Sequence, residues 1–192
     1  MKGRKHSLDT IFWGERPEDK TASQIIFNVL LGLGCGGLFF LVGWGISVLT
    51  EQAVVATFGT QFLQDTQEGA VDLTPLAFSP VGITVAIAGQ FFLVGACEEF
   101  FFRGTIFRDL FPRRQKLGVA VSAGCFMLYH VFPGIVPWIT FVVNWPYYFS
   151  LGILFALLVW VRHFNLVAPI VAHGTYNTIL FVLIYLISGP IL

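Results

Sequence analysis

Charge is what this 192-residue chain has least of. Only 11% of its residues are Asp, Glu, Lys or Arg, against roughly 25% in an ordinary soluble domain. So few charges cannot cover the surface of a soluble globule. The 11 basic and 11 acidic side chains cancel, which excludes a nucleic-acid binder that works through overall positive charge. Cysteine is scarce too: Cys35, Cys97 and Cys125 each lie in an apolar run with no CxxC spacing, so neither a zinc ribbon nor a disulfide framework is indicated. There is no HExxH, hence no sign of a zincin, and no Ser or Cys in a recognisable nucleophile motif. A signal peptide is not indicated, because the polar start is long and no small-residue cleavage site ends the apolar run after it. Internal repeats and low-complexity stretches are absent. What is abundant is apolar surface, 56% hydrophobic and 16% aromatic, which excludes a disordered chain and leaves an integral membrane protein.

The charges are also unevenly placed. Residues 1–20 carry five bases (Lys2, Arg4, Lys5, Arg16, Lys20); residues 21–97 carry four acids (Glu51, Asp65, Glu68, Asp72) and no base; residues 98–116 carry five bases; beyond them Arg162 stands alone. Apolar runs fill the intervals: 25–49, with six glycines, then 81–97, 117–131, 147–161 and 166–187. A helix crosses the bilayer in about 20 residues. The expected fold is therefore all-α, a polytopic membrane bundle of about five helices. Six is the alternative if residues 136–143 form a separate re-entrant piece. Residues 1–24 form an N-terminal segment that could include a short amphipathic surface helix, and residues 25–192 form the bundle. The glycines of the first run predict close helix packing. Basic loops alternate with acidic or neutral ones, which puts the N-terminus in the cytoplasm. A bacterial cytoplasmic membrane is the default location.

In such a protein, ionisable residues at depth are expensive, and function is their default explanation. Three clusters qualify. Glu98, Glu99 and Arg103 follow the second apolar run; Glu99 and Arg103 are four apart and share a helix face, while Glu98 is turned about 100° away. His130 follows Phe126 by four in the third run. His173 and Asn177 are again four apart, in the fifth. Counted from the inner ends of their helices, Glu98, His130 and His173 lie at comparable depths of roughly 16–20 Å. Any one cluster alone has a bland explanation: a Glu–Arg packing clamp, a satisfied histidine, an interhelical His–Asn bond. Matched depth makes the three together harder to dismiss.

Their chemistry suits amide hydrolysis. Glu98 and His130 could hold and deprotonate a water. His173 and Asn177 could donate to the oxyanion that forms, with Arg103 fixing Glu99. Alternatively Glu98, His130 and His173 could ligate a divalent metal such as zinc. Rival readings are a non-catalytic immunity or partner-binding membrane protein, a bis-His haem carrier through His130 and His173, and a proton-coupled transporter.

EExxxR (Glu98, Glu99, Arg103), FxxxH (Phe126, His130) and HxxxN (His173, Asn177), in this order in successive hydrophobic helices, resemble the CPBP family. These are the type II CAAX prenyl endopeptidases and the Abi bacteriocin-processing and immunity proteins. The resemblance spans residues 81–187. It implies an all-helical intramembrane protease in which Glu98 and His130 activate water, His173 and Asn177 form the oxyanion site, and Glu99, Arg103 and Phe126 support them, with metal use undecided. Its partners would be the lipid bilayer and a membrane-associated protein or peptide substrate, and no nucleic acid. Nothing in the sequence marks a prenyl pocket, so a non-prenylated peptide or a role in self-immunity stays open.

Overall fold

A computed structural model describes residues 12–14, 20–64 and 79–188. The described residues are helical with short connections. Helix α1 (Ala22–Phe58) is followed by a single turn, Gln61–Gln64. Helix α2 runs over Pro80–Asp109, α3 over Gln115–His130, α4 over Trp138–Val161 and α5 over Val167–Ser188. Four of them, α1, α2, α4 and α5, are long and apolar enough to cross a membrane. Helix α3 has 16 residues, about 24 Å at 1.5 Å per residue, and is packed between α2 and α4. The polytopic all-α bundle expected from the sequence is thus the fold. The proposed amphipathic helix in residues 1–24 falls largely outside the described residues, as do residues 65–78 of the acidic loop.

Local chemistry sets the helix limits. Thr21 caps α1 by accepting a hydrogen bond from the Gln24 amide, and Ser79 caps α2 from the Gly82 amide at 2.8 Å, with Pro80 in the first helical turn, where its missing N–H costs nothing. Helix α1 continues past the expected end at residue 49, because no helix breaker intervenes before Gly59. That glycine takes φ 85°, a conformation that only glycine adopts freely. Residues 136–143, which could have formed a separate piece, largely continue α4 instead: it runs unbroken through Pro146, so no sixth helix arises there among the described residues, and four helices rather than five are long enough to span.

The bundle is apolar outside and holds a few polar groups within a hydrophobic interior. Leu30, Leu41, Trp44, Val81, Phe92 and Leu186 each expose more than half of their area, while Asn28, Glu99, Arg103, Ser122, Thr140 and Asn165 are fully buried. Lipid, as apolar as leucine, gives the outer side chains no reason to turn inward. Helix α1 lies along α5 and crosses α4. Its Gly32 and Gly36 make the approach: a Cβ at Gly36 would stand 2.6 Å from the Ala172 carbonyl and from the Thr175 Cβ, and one at Gly32 would stand 2.6 Å from Ala168 and Val171. This is small-xxx-small packing. Gly34, Gly37 and Gly45 have nothing within 4 Å, so only part of the glycine run serves packing.

Helix α2 is irregular. Two π-helical stretches, Gln90–Val94 and Phe100–Asp109, flank an α-helical turn, Gly95–Glu99. Its first half packs on α5 and its second half on α3. Glu98 and Glu99 lie where the partner changes. Such π segments interrupt regular helices mostly at functional sites.

Candidate functional site

Helices α2, α3 and α5 bring Glu98, His130 and His173 together. The Glu98 Oε2 atom lies 3.8 Å from His130 Nε2 and 3.9 Å from His173 Nε2. These separations are too long for direct hydrogen bonds. Glu98 Oε2 is buried and has no hydrogen-bond partner among the described residues. One carboxylate oxygen therefore faces two imidazole nitrogens across a gap that a water oxygen could bridge.

The far nitrogens fix both rings. His130 Nδ1 sits 2.9 Å from the Phe126 carbonyl. A carbonyl can only accept, so Nδ1 carries the proton, and in the neutral ring Nε2 offers a lone pair towards Glu98. His173 Nδ1 donates to Glu99 Oε1 at 2.8 Å, and the same oxygen accepts from Arg103 Nη1 at 3.1 Å. Arg103 Nη2 donates to the Gly152 carbonyl on α4, also at 3.1 Å. Glu99 and Arg103 are both completely buried, so each depends on the other to remain charged away from water.

Aromatic rings enclose this network. The Arg103 guanidinium lies 4.5 Å from the Phe126 ring centroid and 5.3 Å from that of Phe155, inside cation–π range. Phe155 stacks on His173 with centroids 4.8 Å apart and planes 19° from parallel, and Tyr148 stacks on His130 at 4.5 Å with the same tilt. Phe126 contacts both histidine rings edge-on or tilted. Helix α4 carries no member of the three motifs, yet it supplies Tyr148, Gly152 and Phe155.

Asn177 is one turn beyond His173. Its Nδ2 donates to Gln90 Oε1 at 2.9 Å. The structure thus gathers Glu98, Glu99, Arg103, Phe126, His130 and His173, leaves Asn177 one turn away and bonded to Gln90, and adds Gln90, Tyr148, Gly152 and Phe155, which the motifs missed. Gln90 had a signal: with Thr84 it is one of two polar side chains within residues 81–97. The aromatic residues had none among 21 phenylalanines and five tyrosines.

As metal ligands, Glu98, His130 and His173 are the right donor types but are badly spaced. Tetrahedral zinc with ligands near 2.1 Å requires donor separations of about 3.4 Å, below the 3.8 and 3.9 Å found. Among the described residues no group of three His, Cys, Asp or Glu side chains is disposed to hold a metal ion. A shallow depression lined by Val48, Glu51, Gln52, Val55, Ala56 and Leu63 lies at the end of α1 and includes none of the site residues.

Fold and cluster together define a class: a polytopic membrane protein with a buried carboxylate–histidine cluster. The sequence profile of the type II CAAX prenyl endopeptidase Rce1-like family matches residues 80–179, just over half of the chain and all of its motif residues. The chain belongs to that family, which supports a membrane-integral peptide hydrolase. No curated protein and no solved structure shows significant similarity to it.

Proposed function

We propose that this chain is an intramembrane endopeptidase that cleaves a membrane-associated protein or peptide by direct attack of water. The observation that carries the reading is the convergence of His130 Nε2 and His173 Nε2 on the unpartnered Glu98 Oε2. Glu99 Oε2 and Arg103 Nε also lack partners among the described residues, but Glu98 Oε2 is the one faced by two imidazole nitrogens, and buried polar atoms normally have partners.

In this mechanism Glu98, as the carboxylate, and His130 Nε2 hold the water. Glu98 takes one of its protons as the oxygen attacks the peptide carbonyl carbon. The carbonyl oxygen becomes the oxyanion and accepts hydrogen bonds from protonated His173 Nε2 and from Asn177 Nδ2. The C–N bond then breaks, and Glu98 returns its proton to the leaving amine. General base catalysis of this kind contributes roughly 100- to 10,000-fold, and one oxyanion donor about 100- to 1,000-fold. Glu99 holds His173 through Nδ1, which directs Nε2 at the substrate, and Arg103 holds Glu99. Every step is assigned to the chain's own groups.

The family name points to prenylated CAAX-type substrates, whose prenyl group would lie in the bilayer beside the bundle. The basic side chains around the α2–α3 connection, Arg108, Arg113, Arg114 and Lys116, and the basic N-terminus favour a cytoplasmic N-terminus.

The test is cleavage of an internally quenched peptide with a farnesylated CAAX end by purified protein in liposomes, in heavy-oxygen water containing hydroxylamine. Direct water attack predicts heavy oxygen in the new carboxylate and no hydroxamate. Accumulation of hydroxamate would mean an acyl-enzyme and would refute the mechanism.

A further inference from the structure

Gln90 lies eight residues before Glu98 on α2, outside the three motifs. A polar amide within a membrane helix is costly and needs a partner. Here the partner is Asn177 on α5, at 2.9 Å. The irregular geometry of α2 accompanies this contact. Gln90 opens the first π-helical stretch, and one turn further Gly95 meets α5: a Cβ there would lie 3.4 Å from the Gly174 nitrogen and 3.5 Å from the Ile170 carbonyl. Beyond it, Glu99 reaches His173. Helices α2 and α5 are thus pinned on both sides of a glycine contact, by Glu99–His173 on one side and Gln90–Asn177 on the other.

We propose that Gln90 is a positioning residue that fixes the plane of the Asn177 amide. An asparagine amide can present either its NH2 or its carbonyl to a neighbour, and the two differ by a 180° flip. One hydrogen of Asn177 Nδ2 is committed to Gln90 Oε1. The plane of the amide is then set and its second N–H remains available to an oxyanion. Without Gln90 that plane is no longer held, and the amide can turn its Oδ1 towards the oxyanion that the N–H should stabilise. Preorganisation of this kind is what makes oxyanion donors effective. The inference rests on the proposed role of Asn177. It is separable from simple interhelical glue, because it predicts a loss confined to the transition state.

The experiment uses full-length protein in liposomes and the farnesylated quenched peptide. Gln90→Met keeps the length of the side chain and removes the acceptor; Gln90→Leu is the second variant. Both replace a polar membrane group by an apolar one, so thermal stability should be kept. The expected result is kcat lowered roughly 3- to 10-fold, the worth of one hydrogen bond, with KM unchanged. In an Asn177→Ala background Gln90→Met should cause no further loss, because the amide it orients is gone. Wild-type kcat in both Gln90 variants, with Asn177→Ala impaired, overturns the positioning role and leaves the oxyanion reading standing. The same loss with and without Asn177, accompanied by lowered stability, also overturns it and marks Gln90 as structural. Full activity of Asn177→Ala, or no cleavage by the wild-type chain, overturns the reading on which both roles rest.

Discussion

Replacing Arg103 by methionine removes the cation at the centre of the bundle, and the structure permits an estimate of the cost. Its guanidinium makes two hydrogen bonds at 3.1 Å, to Glu99 Oε1 and to the Gly152 carbonyl, and lies among the Phe102, Phe126 and Phe155 rings. Both partners of the ion pair have no solvent exposure. Removing one member leaves Glu99 as a buried carboxylate with only the His173 ring beside it, which costs up to about 3–5 kcal/mol. That is a shift of roughly two to three and a half decades in the folding equilibrium. The penalty arises from the orphaned charge and not from lost attraction alone. Adding Glu99→Gln to Arg103→Met should therefore restore stability to within about 1.5 kcal/mol of the wild type, since apolar or neutral replacements of buried ion pairs are often near neutral. The glutamine oxygen can still accept from His173 Nδ1. The assay is reversible unfolding in mixed micelles, followed by the fluorescence of the five tryptophans. The reasoning is refuted if Arg103→Met costs under about 0.5 kcal/mol, or if the double variant is as unstable as the sum of the two single ones.

Other expectations are more local. Gly36→Ala should destabilise by about 1–3 kcal/mol, because its Cβ would stand 2.6 Å from α5. Gly37→Ala, with nothing within 4 Å, should be neutral or stabilise by about 0.5–1 kcal/mol through helix propensity; thermal unfolding of the two single variants compares them directly. In the peptide assay, His130→Ala and His173→Ala should each lower kcat by at least about 100-fold, whereas Phe126→Leu, which keeps the carbonyl that His130 Nδ1 uses, should lose much less. Prolonged dialysis against a strong chelator should leave the cleavage rate within about twofold, given donor separations wider than tetrahedral zinc requires. A loss restored by added zinc would contradict the water-only assignment.

Much of this arrangement was legible in the residues, for identifiable reasons. Glu98, Glu99, Arg103, His130 and His173 stand out because ionisable groups at membrane depth have no cheap explanation, and their distances from the helix ends already gave similar depths. The Glu99–Arg103 bond follows from spacing alone. The π-helical stretches of α2 could not be read, since a widened turn has no periodic signature in a helix apolar on nearly every side. For the same reason the contributions of α4 stayed hidden. Phe155 and Tyr148 are chemically indistinguishable in sequence from their lipid-facing neighbours, and Gly152 acts through a backbone carbonyl that every residue has. Gln90 carries no formal charge and so does not stand out beside the ionisable residues, although a polar amide within a membrane helix also needs a partner. The apolar run ends at residue 49, whereas the helix itself stops only at Gly59, because helical hydrogen bonding can continue past the apolar stretch.

The central claim is that Glu98 serves chemistry and not architecture. Its most direct test is kcat of Glu98→Gln on the farnesylated peptide, measured beside the unfolding temperature of the same preparation. Glutamine keeps the shape and cannot take the proton from water. The account predicts kcat reduced by at least about 100-fold with the unfolding temperature within about 2 °C of the wild type. Cleavage at close to the wild-type rate by a well-folded Glu98→Gln protein would contradict it.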